Sequence, residues 1–299
     1  MPYSAEISRA NPSCFVFVID QSASMLDVLD PINIQQLDKP LVIDGRSYTH
    51  TAQGRTKAQA VADAINRLLQ DLVIKCAKSE GVRDYYYVAV IGYGGNVGPA
   101  FSGALAGRDL VPISEIATSP ARIEERNKKV DDGAGGLVEQ KIKFPIWFDA
   151  VGNNGTPMCS ALIQAHGILS RWLTDHPDCF PPVVIHITDG ESTDGDPAPA
   201  MAQLKSLASS DGNVMLFNLH LSGNPNAVPV TFPNSPAQLP DQYARTLFEG
   251  SSVLTPFMCA VAREQGINVS EGARGFVLNG DIAMIIQALE IGTRPSNLR

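Results

Sequence analysis

Two stretches of this sequence pass from an unbroken apolar run straight into a carboxylate, and they restrict the fold more than any other feature. The first is Cys14-Phe15-Val16-Phe17-Val18-Ile19, ending in Asp20. The second is Val183-Val184-Ile185-His186-Ile187-Thr188, ending in Asp189 and Gly190. Runs of β-branched and aromatic residues without polar alternation read as strands buried on both faces, the kind found in the middle of a parallel sheet. Such a sheet needs helices over each face. The polar residues then fall where the chain leaves the carboxyl end of a strand, the edge at which open α/β sheets place their ligands.

After the first run come Asp20, Ser22 and Ser24 in D-x-S-x-S spacing. These side chains offer oxygen only, which suits a hard divalent cation rather than a soft metal. The same residues could instead form an Asx or Ser turn that caps the next helix. A third piece is Asn153-Asn154-Gly155-Thr156-Pro157-Met158, leading into a helical pattern through Leu162, Ile163, His166, Leu169 and Trp172. Thr156 stands before a proline at a first helical turn, so an N-cap is its simplest role.

Taken together and in this order, the three pieces resemble the von Willebrand factor A domain, also called the integrin I-like domain. Gly-Thr-Pro before a helix and Thr-Asp-Gly-Glu after a strand look especially like prokaryotic, intracellular members. The resemblance covers nearly the whole chain. It implies an α/β, Rossmann-like fold with a central, mostly parallel six-stranded sheet, one antiparallel edge strand and helices on both faces. It also implies a metal-ion-dependent adhesion site (MIDAS) built from Asp20, Ser22, Ser24, Thr156 and Asp189. The ion would be magnesium or manganese, with calcium ranking below them. Ser22, Ser24 and in some states Thr156 would bind directly, while Asp20 and Asp189 would often act through ordered water. An ion held this way keeps much of its positive field, and its open position would take an Asp or Glu carboxylate from a partner protein. Prokaryotic relatives often work beside ATPases, kinases or phosphatases. The sequence departs from the family pattern in lacking a glycine soon after Met25.

Composition narrows the partners. The chain has 299 residues, 44% of them hydrophobic, enough for a large core, and is read as a single domain over 1–299. A net charge of −8 leaves no electrostatic footprint for nucleic acid or an anionic membrane. No secretory leader and no membrane-spanning apolar segment is expected. The five cysteines are odd in number and lack C-x-x-C pairing, which argues against a disulfide framework or structural zinc and fits a reducing cytoplasm.

Along the chain, strands are expected at 14–20, 84–91, 97–101, 183–188, 213–221 and 275–279. Helices are expected at about 56–78, from Thr156 onward, and at 198–208, 238–248, 256–265 and 281–289. Two segments exceed what the fold needs, at about 25–55 and 104–152. In the first, Pro40 to Thr49 reads as a hairpin turning at Asp44-Gly45. The second combines a helical piece over Pro120 to Val130, a flexible stretch over 131–136 and an alternating run from Lys141 to Phe148. The acids after Asp189, among them Glu191, Asp194 and Asp196, either sit near the metal or favour the start of the following helix.

The reading is a metal-dependent protein-binding module, not an enzyme, with no catalytic residue or organic cofactor. The alternative is a metal-dependent hydrolase or phosphotransferase with Asp20 as nucleophile. Phosphatases of the haloacid dehalogenase type carry a second Asp two residues after the first, where this chain has Ser22. There is no Walker A loop, no G-x-S-x-G elbow and no dinucleotide fingerprint.

Overall fold

The first apolar run becomes β1 (Ser13–Asp20), and every one of its residues is buried. The computed structural model describes residues 3–29, 33–43, 46–131, 137–221 and 228–293. β1 pairs in parallel on one side with β4 (Tyr86–Tyr93) and on the other with β9 (Val183–Thr188). Beyond β9 lie β10 (Met215–Leu221) and β12 (Phe276–Gly280), also parallel. Short antiparallel strands close both edges. β11 (Val230–Thr231) borders β12, while β5 (Val97–Pro99) and β6 (Val111–Pro112) border β4. Among the described residues the sheet therefore has eight strands where six were expected, and the additions are two-residue edge pieces. Such short edges leave little exposed backbone to recruit another chain.

Because side chains alternate along a strand, β1 feeds two cores at once. Phe15, Phe17 and Ile19 pack under α1 (Lys57–Cys76), α2 (Ile113–Thr118), α6 (Pro256–Glu264) and α7 (Ile282–Thr293). Cys14, Val16 and Val18 face the other way, toward α3 (Met158–Asp175), α4 (Ala198–Ser206) and α5 (Gln242–Gly250). The helix α1 starts where it does because Thr56 and Gln59 form a capping box. The Thr56 hydroxyl accepts from the Gln59 N–H, and the Gln59 side chain accepts from the Thr56 N–H. Among the described residues, no helix is long and apolar enough to cross a membrane.

Both extra segments are built around antiparallel ribbons. The first is β2 (Asn33–Ile43) paired with β3 (Arg46–Gln53), a longer ladder than Pro40 to Thr49; its Asp44-Gly45 turn lies outside the described residues. Its base is tied by the Leu29 N–H to the Arg55 carbonyl, 2.9 Å apart. The second overturns an expectation. Pro120 to Val130 is not helical but contributes to β7 (Arg122–Asp131), which pairs residue for residue with β8 (Leu137–Ile146). Glu, Arg and Lys are good helix formers in isolation, and here cross-strand pairing overrides that preference. Arg126 shows how: its guanidinium lies 4.0 Å over the Phe144 ring and is paired with Glu124 and with Asp63 of α1. Of the stretch read as flexible, 132–136 lies outside the described residues.

Asn66 of α1 anchors the end of this ribbon. Its side-chain oxygen accepts from the N–H groups of Trp147 and Phe148, and its amide donates to the Phe148 carbonyl, all at 2.8–3.0 Å. The residue is 1% exposed. Asn66→Ala strands three buried backbone groups, each costing about 1–3 kcal/mol when unpaired. Urea unfolding is expected to show a loss of about 3 kcal/mol or more. A loss below about 1 kcal/mol would mean that water or a local shift replaces the amide.

Candidate metal centre

The parallel register brings the strand exits together. Asp20, at the end of β1, stands opposite Tyr93 of β4, and Thr188 of β9 stands opposite His220 of β10. Asp20 is 1% exposed. One of its oxygens accepts from the Ser22 N–H and the other from the Thr188 hydroxyl, both at 2.8 Å. The Ser22 and Ser24 hydroxyls are 3.0 Å apart, and Ser24 donates onward to Asp189 at 2.7 Å. The far oxygen of Asp189 accepts from the Lys57 ammonium at 2.8 Å. Two carboxylates and two hydroxyls thus form one hydrogen-bonded group spanning two loops. The D-x-S-x-S segment runs into a 3₁₀ turn over Ala23–Leu26, in which Met25 is buried.

Thr156 reaches the same place by a different route from the one expected. It does not cap α3. That role belongs to Asp194, whose carboxylate accepts from the N–H groups of Cys159 and Ser160 at 2.9 Å each. Burial works to raise the Asp194 pKa, but these bonds, with those from the Ser160 and Ser192 hydroxyls, outweigh it and bring it to about 2. The Thr156 backbone is instead tied to Thr193 by two bonds of 2.9 Å. Its hydroxyl and that of Ser24 each lie 3.9 Å from where a Cβ on Gly190 would stand. All five sequence-selected residues therefore meet at the carboxyl edge of the sheet. Of the following acids, Asp196 does serve the next helix, accepting from Ala198 N–H at 3.0 Å.

The loops beneath are laced together. Asn153 N–H donates to the Gln21 carbonyl at 2.7 Å, and Ala23 N–H donates to the Asn154 carbonyl at 3.0 Å. Gly94 makes this closeness possible, since a Cβ there would sit 2.4 Å from the Gln21 carbonyl oxygen. The Thr156 loop and the D-x-S-x-S loop thus form one unit.

Electrostatics points toward a cation. Burial first, and then the charge of Asp189, push the Asp20 carboxyl up to about 6, against the opposing hydrogen bonds from Ser22 and Thr188. The donors are all oxygens, as a hard divalent ion requires. Among the described residues, no three His, Cys, Asp or Glu side chains gather at ligand spacing, so an ion here would rest on hydroxyls as much as on carboxylates. Two contributors escaped sequence reasoning. Thr188 was read as the end of a strand and part of the Thr-Asp-Gly-Glu pattern, without a role at the site. Lys57 did carry a signal, because a cation in the first turn of a helix opposes the helix dipole and needs a compensating partner.

The architecture is a Rossmann-like α/β fold with a mostly parallel sheet between two helical layers, the class that the sequence resemblance implies. Neither a protein-family model nor a curated protein matches the sequence. Solved structures that share features with it include VWA2, a paralogue of ArnB from Sulfolobus acidocaldarius, at 13% identity and a TM-score of 0.33 over 73% of this chain and 36% of that one. The vWF domain of the type V pilus tip protein Mfa5 from Porphyromonas gingivalis matches at 14% identity and a TM-score of 0.30 over 61% of this chain and 39% of that one. The pilus adhesin RrgA from Streptococcus pneumoniae matches at 14% identity and a TM-score of 0.30, over 63% and 22%. The chain spans well under half the length of each.

Beneath these loops runs a buried polar relay. The Tyr93 hydroxyl is 2.6 Å from His186 Nε2, and His186 Nδ1 is 2.8 Å from the Asn218 side-chain oxygen. The Asn218 amide donates to the Leu247 carbonyl at 2.9 Å, which leaves its oxygen facing His186 as acceptor. The proton therefore sits on Nδ1, and Tyr93 donates to Nε2. Burial pushes the His186 pKa from 6.5 down to about 4. The unfolded chain then takes up a proton before the folded one does, so this group's contribution is present above about pH 6.5 and is lost as the pH falls toward 4. Metal-free Asp20, with its raised pKa, works in the opposite sense between about 6 and 3.8, so wild type alone cannot isolate the effect. The stability advantage of wild type over His186→Gln, measured by urea unfolding, is expected to shrink by about 2–3 kcal/mol between pH 7 and about 4.5. An unchanged difference would place the imidazole in contact with solvent.

Proposed function

We propose that this chain is a von Willebrand A-type binding module that holds magnesium or manganese through Asp20, Ser22, Ser24, Thr156 and Asp189, and that engages an Asp or Glu carboxylate of a partner protein. The observation that carries this reading is the hydrogen-bonded group running from Asp20's loop through Ser22 and Ser24 to Asp189, with the Thr156 hydroxyl facing the same glycine. When bound, the ion supplies a positive centre with an open position for an anion. The residues themselves do the rest: the hydroxyls are neutral donors, the two carboxylates fix the site's charge, and the laced loops keep the donors in place. We read a cytoplasmic setting for the protein and a partner from an ATPase, kinase or phosphatase system. The hydrolase alternative gains nothing from the geometry. Both oxygens of Asp20 are engaged and the side chain is enclosed, which leaves no free oxygen and no open line along which Asp20 could attack a substrate.

An ion well above its dissociation constant stabilises the fold by roughly 1–3 kcal/mol. Magnesium or manganese chloride should therefore raise the melting temperature by a few degrees over EDTA, and Asp20→Ala should remove that increment. In EDTA, Asp20→Ala is expected to melt no lower than wild type, since it ends the repulsion between the two carboxylates. A partner held through the ion should dissociate in EDTA. Binding that survives both chelation and Asp20→Ala would remove the adhesion-type mechanism and leave only the fold.

A further inference from the structure

Lys57 occupies a position that ordinary helix chemistry disfavours. It is the first residue of α1, where the helix dipole repels a cation, and its side chain is only 5% exposed. Its ammonium lies 2.8 Å from one oxygen of Asp189, whose side chain is fully buried, and 3.8 Å from Asp27. The other oxygen of Asp189 accepts from Ser24. One enclosed carboxylate is thus shared between a fixed cation and the hydroxyl group of the candidate ion site.

We propose that Lys57 is a tethered counter-cation that competes with the divalent ion for Asp189, so that the site binds its ion weakly and, once loaded, faces its partner with surplus positive charge. This rests on reading the site as an ion site. Asp20, Asp189 and Lys57 carry charges of −1, −1 and +1, a sum of −1, and a divalent ion turns that sum to +1. Without the lysine, the loaded group would be neutral. Asp27 softens this only in part, because it is 38% exposed and the more distant partner, so solvent screens it. Asp189 cannot give its full charge to an ion while half of its acceptor capacity is held by an ammonium, and two like charges in so enclosed a space repel.

The placement of the lysine is over-determined. The capping box sets the start of α1, the Lys57 N–H donates to the Asp27 carbonyl at 3.0 Å, and the base of the β2–β3 ribbon closes immediately before it. The ribbon of the first extra segment therefore ends at the residue that sets the charge of the site.

The test is isothermal titration of wild type, Lys57→Met, Lys57→Gln, Lys57→Arg and Asp20→Ala with manganese or magnesium chloride, alongside melting curves in EDTA and in saturating ion. Both neutral variants should bind the ion at least about tenfold more tightly than wild type, and Lys57→Arg should stay near wild type. In EDTA the neutral variants should melt lower, having lost the partner of a buried carboxylate, and the ion should return more of the melting temperature to them than it adds to wild type. If a neutral variant is unfolded in EDTA, the ion concentration that refolds it, followed by circular dichroism, gives the affinity. Equal or weaker ion affinity in both neutral variants, with wild-type binding still abolished by Asp20→Ala, would overturn the role of Lys57 and leave the ion site standing. Binding by none of the proteins, or binding indifferent to Asp20→Ala, would overturn the ion site and this proposal with it.

Discussion

Asp20 and Asp189 end adjacent parallel strands, and both are enclosed by the loops that follow. Two carboxylates so placed repel each other and lose most of their hydration, so the surrounding chain has to supply donors or positive charge. It does so from several directions. The Ser22 N–H and the Thr188 hydroxyl take the two oxygens of Asp20, while Ser24 and Lys57 take those of Asp189. The tight turn after β1, the exit after β9 and the start of α1 all answer that single electrostatic demand.

Under this edge the sheet is a rigid floor. Alternate residues of β1 are locked into separate cores on the two faces, so the strand ends cannot tilt without disturbing both. The Tyr93–His186–Asn218 relay extends the polar network below the site while keeping every member paired, as a buried network must. For the ion proposed here, the donors would be held ready in advance, which would spare the cost of ordering them on binding. The two ribbons grow from this scaffold rather than from its core. One closes beside Lys57, and the other is clamped to α1 by Asn66 and the Arg126–Asp63 pair. Loops on such a rigid base are where recognition commonly resides.

Much of this was legible in the residues themselves. Short unbroken runs rich in β-branched and aromatic residues favour strands buried on both faces, so β1, β9 and their carboxylate exits could be placed directly. The order of D-x-S-x-S, Thr156 and Asp189 along the chain was enough to nominate one shared edge. Local signals served poorly where a residue's partner is distant in sequence. The charged segment ending at Val130 has the composition of a helix, and only its pairing with Leu137–Ile146 makes it a strand. Thr156 stands where a cap belongs, yet Asp194, which follows the next strand, takes that role and leaves the hydroxyl facing the site.

The sequence by itself determined the α/β class, the central strands and the five residues gathered at their ends, since these depend on periodicity and on where apolar runs stop. Tertiary structure decided which donors each carboxylate receives and which charge balances them. Lys57 and Asp189 are 132 positions apart, and nothing near either residue in the chain announces the other. Their contact exists because parallel register carries Asp189 to the edge beside β1 while the capping box starts α1 at that same edge. Proximity of that kind is a property of packing and register, which local pattern does not encode.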